Sequence, residues 1–130
     1  MALKWVNDLV LDNGLNQIKT TATRMLLLSA YPVLGTAYAT VVANTLASVT
    51  LTSADFTLGG TANVNRTLTV ASGKTAVASA TASGTPDLHI AFTDGVSTVI
   101  WVTDETSNQA VLLGNTINFP APVYTSSQPV

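Results

Sequence analysis

His89 is the one histidine of a chain that has no cysteine, so general acid–base chemistry would have to run through it. It alternates with Leu88 and Ile90, which places it on the less apolar face of a strand. Asp87, two positions earlier, shares that face. Nucleophilic catalysis would need an activated hydroxyl beside the ring. Ten serines are available, but none lies in the Gly-x-Ser-x-Gly pattern of a nucleophile elbow. His89 is therefore expected to be a hydrogen-bonded, half-exposed strand residue. Asp104 and Glu105 are the one adjacent acid pair. With Asn108 they offer three oxygen ligands, fewer than calcium takes. The simpler reading is a solvated turn running into Ser107 and Asn108. No catalytic residue, metal site or cofactor is expected, and the chain reads as non-enzymatic.

The remaining motifs have structural readings. Gly59-Gly60 is not followed by Gly-Lys-Ser/Thr, so it is a turn and not a phosphate loop. Asp94-Gly95 is a hairpin signal. Asn65-Arg66-Thr67 fits the glycosylation sequon by chance. Trp5, Tyr31, Tyr38, Trp101 and Tyr124 could form a sugar-stacking platform, but they are scattered along the sequence, and Trp101 reads as core.

These residues sit on elements of two periods. From 7 to about 20, Val10, Leu11, Gly14, Leu15 and Ile18 make one helical stripe, with Asp8, Asp12, Asn16 and Lys19 opposite. Asn7 or Asp8 suits the N-cap, and Lys19 the C-terminal end of the helix dipole. Gly14 lies in the stripe and suggests close approach to a sheet. After Thr23 the period becomes two. Residues 24–30 form an apolar run that ends at Pro32 and Gly35. Strand-like pieces follow at 45–51, 55–58, 64–71, 75–83, 88–93, 98–103, 110–113 and 116–119. The piece at 75–83 carries alanines on one face. In the piece at 98–103, Val99 and Trp101 share one face, Ile100 and Val102 the other. This spacing predicts a mainly β fold: an antiparallel sandwich or barrel of about 7–8 short strands over 24–119, with one N-terminal helix. Residues 120–130 hold Pro120, Pro122 and Pro129 with polar neighbours, and predict an extended C-terminal arm. The whole of 1–130 reads as one domain.

Composition points away from a free monomer. Five basic and seven acidic residues are all the charge there is, 9% of the chain, against about a quarter in an ordinary soluble domain. Residues 25–54 carry none, and neither does anything after Glu105. With 21 threonines, 17 alanines and many valines, the chain favours strands, and its aliphatic content is too high for disorder. The five basic residues are scattered, so no nucleic acid partner is expected. The uncharged run is broken by Pro32, Gly35, Asn44 and threonines, so no membrane span is expected. The first residues meet Asp8 and Asp12 too soon for a signal peptide, and synthesis in the cytoplasm without secretion is expected.

Five stretches resemble a widespread family of small tailed-bacteriophage proteins encoded near the head genes. They are Leu-Val-Leu-Asp-Asn-Gly-Leu-Asn-Gln-Ile-Lys at 9–19, Ala-Thr-Arg-Met-Leu-Leu-Leu-Ser-Ala-Tyr-Pro at 22–32, and Leu-Thr-Ser-Ala-Asp-Phe-Thr-Leu at 51–58. The other two are Ala-Ser-Gly-Thr at 82–85 leading to His-Ile-Ala at 89–91, and Gly-Asn-Thr-Ile-Asn-Phe-Pro-Ala at 114–121. Two places depart from the family pattern. Only Arg66 remains of a polar turn near 64–69, and Ser29 stands where a cysteine is common. The resemblance implies a virion component.

Together these readings predict a structural protein of a tailed-phage particle, specifically a capsid decoration or cement subunit. Its partners would be the major capsid protein, neighbouring subunits or its own copies as a homo-oligomer. The alternative is a receptor- or carbohydrate-binding module on a collar or tail. The expected contact residues are Leu3 and Trp5 in the N-terminal segment, with Phe119, Pro120, Pro122 and Tyr124 in the C-terminal one.

Overall fold

The computed structural model describes residues 4–107 and 109–130. Leu3 and Asn108 lie outside the described residues.

Helix α1 spans Asp8–Thr21. Asn7 caps it by accepting a hydrogen bond from the Leu9 amide at 2.8 Å. Leu11, Leu15 and Ile18 form its buried stripe. Val10, expected in that stripe, is exposed, as is Leu9. Gly14 is exposed too, and a side chain there would meet nothing within 4 Å, so it marks no close approach. The helix packs chiefly on β4 (Asn65–Val70) and β9 (Val123–Ser127).

Nine strands form three antiparallel sheets among the described residues, an open arrangement consistent with a sandwich. The first sheet has the order β2 (Thr45–Thr50), β1 (Arg24–Leu28), β6 (His89–Thr93), β7 (Val99–Asp104). The second has the order β3 (Phe56–Gly59), β4, β9. A two-stranded ribbon pairs β5 (Thr75–Val77) with β8 (Thr116–Asn118).

Strand alternation sorts β1 and β6 cleanly between two apolar layers. Met25, Leu27, Ile90 and Phe92 enter the main core with Phe56, Leu68 and Val70 of the second sheet. Leu26, Leu28 and Ala91 point the other way, onto Val41. Val41 belongs to α2 (Tyr38–Ala43), a six-residue helix absent from the sequence expectation. Its Tyr-Ala-Thr-Val-Val-Ala sequence carries no strong helix signal, and tertiary packing sets its conformation. With apolar groups on both faces, β1 is a continuous Met-Leu-Leu-Leu run, the pattern of a doubly covered strand.

Aromatic rings run across the two sheets. Phe92 stacks on Trp101 with centroids 4.5 Å apart, and its other neighbour is Phe56 at 6.2 Å. Trp101 in turn meets the edge of Tyr124 at 5.4 Å. A register shift between β6 and β7 skips Ile100, so Ile100 and Trp101 both pack on the main core while Val99 and Val102 pack on the second layer with Val41. Simple alternation had separated Ile100 from Trp101; the bulge overrides it.

The C-terminal segment is extended, but it is not an arm. Val123–Ser127 pair with Asn65–Thr69 along β4, and Pro122 accepts from the Val70 amide at 3.1 Å. Three prolines do not prevent this, because β9 is an edge strand and none of them lies within it. The piece expected at 75–83 is a strand only through Val77, yet Ala76, Ala78, Ala80 and Ala82 all face the core as the alternation implied. The piece at 110–113 reduces to one bridge between Ala82 and Val111.

Candidate functional site

The chain spends much of its small charge internally. Arg66 Nε meets Asp12 Oδ1 at 2.7 Å, which ties β4 to α1. Lys74 Nζ meets Asp55 Oδ1 at 2.6 Å. Asp55 also accepts from the Thr52 amide at 2.8 Å, capping a short 3-10 turn at Ser53–Asp55. The Lys74 hydrogen bond, helped by the Thr52 amide, holds the Asp55 carboxyl below the ordinary carboxylate range. Asp94 Oδ1 accepts from the amides of Val96, Ser97 and Thr98 at 2.9, 2.8 and 3.0 Å. Those bonds, the one from Thr98 foremost, lower its pKa to about 2. Asp8 accepts from the Asn63 amide at 3.0 Å. Asn65, the sequon asparagine, accepts from the Thr61 amide at 3.1 Å to close the Gly59-Gly60 turn. Gly60 is required there, because its φ is +105° and a Cβ would lie 2.7 Å from the Asn65 carbonyl.

One part of the surface is apolar and carries no charge. Residues 31–36 project between β1 and α2, with Leu34 fully exposed and Val33 63% exposed. Their turn is closed by the Thr36 amide on the Val33 carbonyl at 3.0 Å. Between this loop and β7 runs a cleft of about 510 Å³, lined by Tyr31, Leu34, Tyr38, Val41, Val99 and Trp101 among others, none of its lining residues charged. β7 is the edge of its sheet, so one row of its backbone groups has no strand neighbour. In the sequence pattern, Pro32 and Gly35 mark only the end of the 24–30 run. The available signal was apolar Val-Leu between two turn residues, where a solvent turn is ordinarily polar.

The expected contact residues divide. Trp5 is 76% exposed and lies beside the C-terminal segment: Val6 and Gln128 bond to each other, and Lys4 Nζ donates to the Val130 carbonyl at 3.2 Å. The two predicted contact segments are thus adjacent in space. Tyr124 is exposed on one side and rests its ring on Trp101 on the other. Pro120 and Pro122 are half-buried. Phe119 is a correction: it is 6% exposed and belongs to the main core, so it offers no outer contact. Its neighbour β8 pairs with β5, and the Phe119 amide donates to the Lys74 carbonyl, which turns the ring inward.

Titratable groups gather at one place. His89 pairs across the sheet with Asp104, and Asp87 lies two residues before it. Nε2 is 3.7 Å from Asp104 Oδ1, and Nδ1 is 3.8 Å from Asp87 Oδ1. The imidazole is 12% exposed under the Tyr31 ring, whose centroid is 5.0 Å away. Asp104 and Glu105, adjacent in sequence, do not act as a pair, because β7 ends at Asp104 and the chain turns away after it. Glu105 instead closes the next turn through the Ser107 amide at 3.0 Å. The register that brings Asp104 to His89 was not visible along the sequence. Among the described residues the hydrogen bond of the His89 ring is to the Asp87 carbonyl, and none is to a serine hydroxyl.

No described helix is long and apolar enough to cross a membrane. Comparison with family models, with curated proteins and with solved structures finds no match to this chain.

Proposed function

We propose that the chain is a non-enzymatic structural subunit of a tailed-phage particle, a capsid decoration or cement protein that binds capsid protein or its own copies. The observation that carries this reading is the uncharged face formed by residues 31–36 and the β7 cleft. A fully exposed leucine at a loop tip, beside a sheet edge and an uncharged groove, favours a protein partner over water. A standard contact buries about 800 Å² per partner. The chain exposes 7305 Å² in all, so one such contact needs about a tenth of its surface. The resemblance supplies the setting, and the low charge removes what normally keeps subunits apart.

Co-sedimentation of the purified chain with expanded capsids tests the proposal. Binding in a fixed ratio to capsomers supports it. A few copies at one vertex or on the tail would move the protein to the collar or tail. A carbohydrate-binding role is the second reading, favoured by one observation: Tyr31 and Tyr38 line the same cleft. Glycan-array binding lost on Tyr31→Ala would support it.

A further inference from the structure

We infer that Asp87, His89 and Asp104 form a binding site for a divalent transition metal, with Zn²⁺ the ion that its donors suit best. One ring nitrogen and one carboxylate oxygen from each aspartate lie within 4.8 Å of one another. Ligands of a tetrahedral zinc, bound at about 2.0–2.1 Å, sit roughly 3.3 Å apart. The 3.7 Å between Nε2 and Asp104 Oδ1 is therefore a few tenths of an ångström from closed. Both carboxylates are largely exposed, at 67% and 59%; Asp104 already faces Nε2, whereas Asp87 Oδ1 lies 3.8 Å from Nδ1 and its side chain must turn toward Nε2 to share the ion.

The imidazole is already held as a ligand. Nδ1 lies 3.1 Å from the Asp87 backbone carbonyl, which can only accept, so the proton belongs on Nδ1. That leaves the lone pair on Nε2, on the side of Asp104. A backbone carbonyl that fixes the tautomer in this way is the usual outer support of a metal-binding histidine. Tyr31 above the ring and the β6–β7 ladder below fix its orientation.

The charge distribution agrees. The lysines and arginines that form ion pairs among the described residues serve Asp12 and Asp55. Asp87 and Asp104 have no Lys or Arg partner there, although the chain holds only seven acids. A dication between them neutralises both. One nitrogen and two oxygens suit zinc, with the remaining position open to water. Calcium prefers six to eight oxygens, which these residues do not supply.

The test is a titration of the full chain with zinc chloride alone in metal-free buffer, read by calorimetry and by the NMR signals of the single histidine. The expected result is one ion per chain, with the His89 ring resonances shifting in step with the heat. Calcium chloride at the same concentration leaves them unmoved. His89→Gln abolishes the binding. Asp104→Asn and Asp87→Asn, both on exposed side chains that do not support the fold, weaken it at least tenfold, the lower end of what even an outer-support change costs. Thermal melts of each variant without metal confirm that they fold. His89 resonances that stay put at excess zinc would overturn the inference. Binding that survives His89→Gln at unchanged affinity would do the same, since it would reside on other carboxylates.

Discussion

The Gln128 side chain clasps the Val6 backbone from both sides. Its Oε1 accepts from the Val6 amide at 2.8 Å, and its Nε2 donates to the Val6 carbonyl at 2.9 Å. A carboxamide carries its acceptor and its donor on two neighbouring atoms, so it can satisfy a peptide N–H and C=O together. The clasp lies at the end of β9 and just ahead of α1, so it joins the two ends of the described chain into one surface that carries Trp5. Replacing Gln128 by alanine removes both bonds. At about 0.5–1.5 kcal/mol each, the loss should be about 1–3 kcal/mol. Urea denaturation measures it, and proteolysis should become faster ahead of Asn7 while the core stays protected.

Deleting the residues after Ala121 should cost more than a surface arm would. It removes β9, its ladder to β4, the Tyr124 edge contact with Trp101 and the Gln128 clasp. At about 1 kcal/mol per lost bond or ring contact, the loss is several kcal/mol, a large fraction of a domain's stability. Circular dichroism melts of the truncated chain check this. An unchanged melting temperature would return the segment to the status of a dispensable arm.

Val33→Asp with Leu34→Asp should leave the fold intact and abolish association. Both side chains project into solvent, and exposed substitutions move stability by about 0.5 kcal/mol or less. Placing two charges in an uncharged contact leaves them desolvated without partners. The readout is co-sedimentation with particles set beside the melting temperature of the free chain.

Acid should loosen the Asp94 hairpin and the Asp55 turn. Both carboxyls are depressed in the folded state, Asp94 to about 2, through its three backbone amides, and Asp55 below 3.8 through Lys74 and Thr52. Within that window the unfolded chain binds more protons, so stability rises with pH. The contributions are complete above the ordinary value of 3.8 and are lost as pH falls, for Asp94 through about 2. Asp94→Asn and Lys74→Met should each be less stable than the parent at pH 6, with the gap closing toward pH 2. A gap that stays constant down to pH 2 would assign the effect to packing.

Much of the fold was legible in order and period. The α1 stripe of Leu11, Leu15 and Ile18, the Asn7 cap, the Asp94-Gly95 hairpin and the alanine face of 76–82 follow from local chemistry, because capping, turn geometry and alternation act over a few residues. Val10 and Gly14 were misassigned because a stripe inferred from spacing alone has no fixed width; the neighbouring strands decide how far around the helix burial extends.

The sequence alone determined a mainly β chain with one principal helix, too little charge for an ordinary free surface, and no cysteine chemistry. Tertiary structure decided which segments meet. Cross-strand register set Asp104 opposite His89, fifteen positions away. Edge pairing made a strand of a proline-flanked tail, and packing on Leu26 and Leu28 made a helix of residues 38–43. Each of these depends on contacts between residues distant in sequence. Periodicity can say which way a side chain points along its own strand, but not which strand lies beside it.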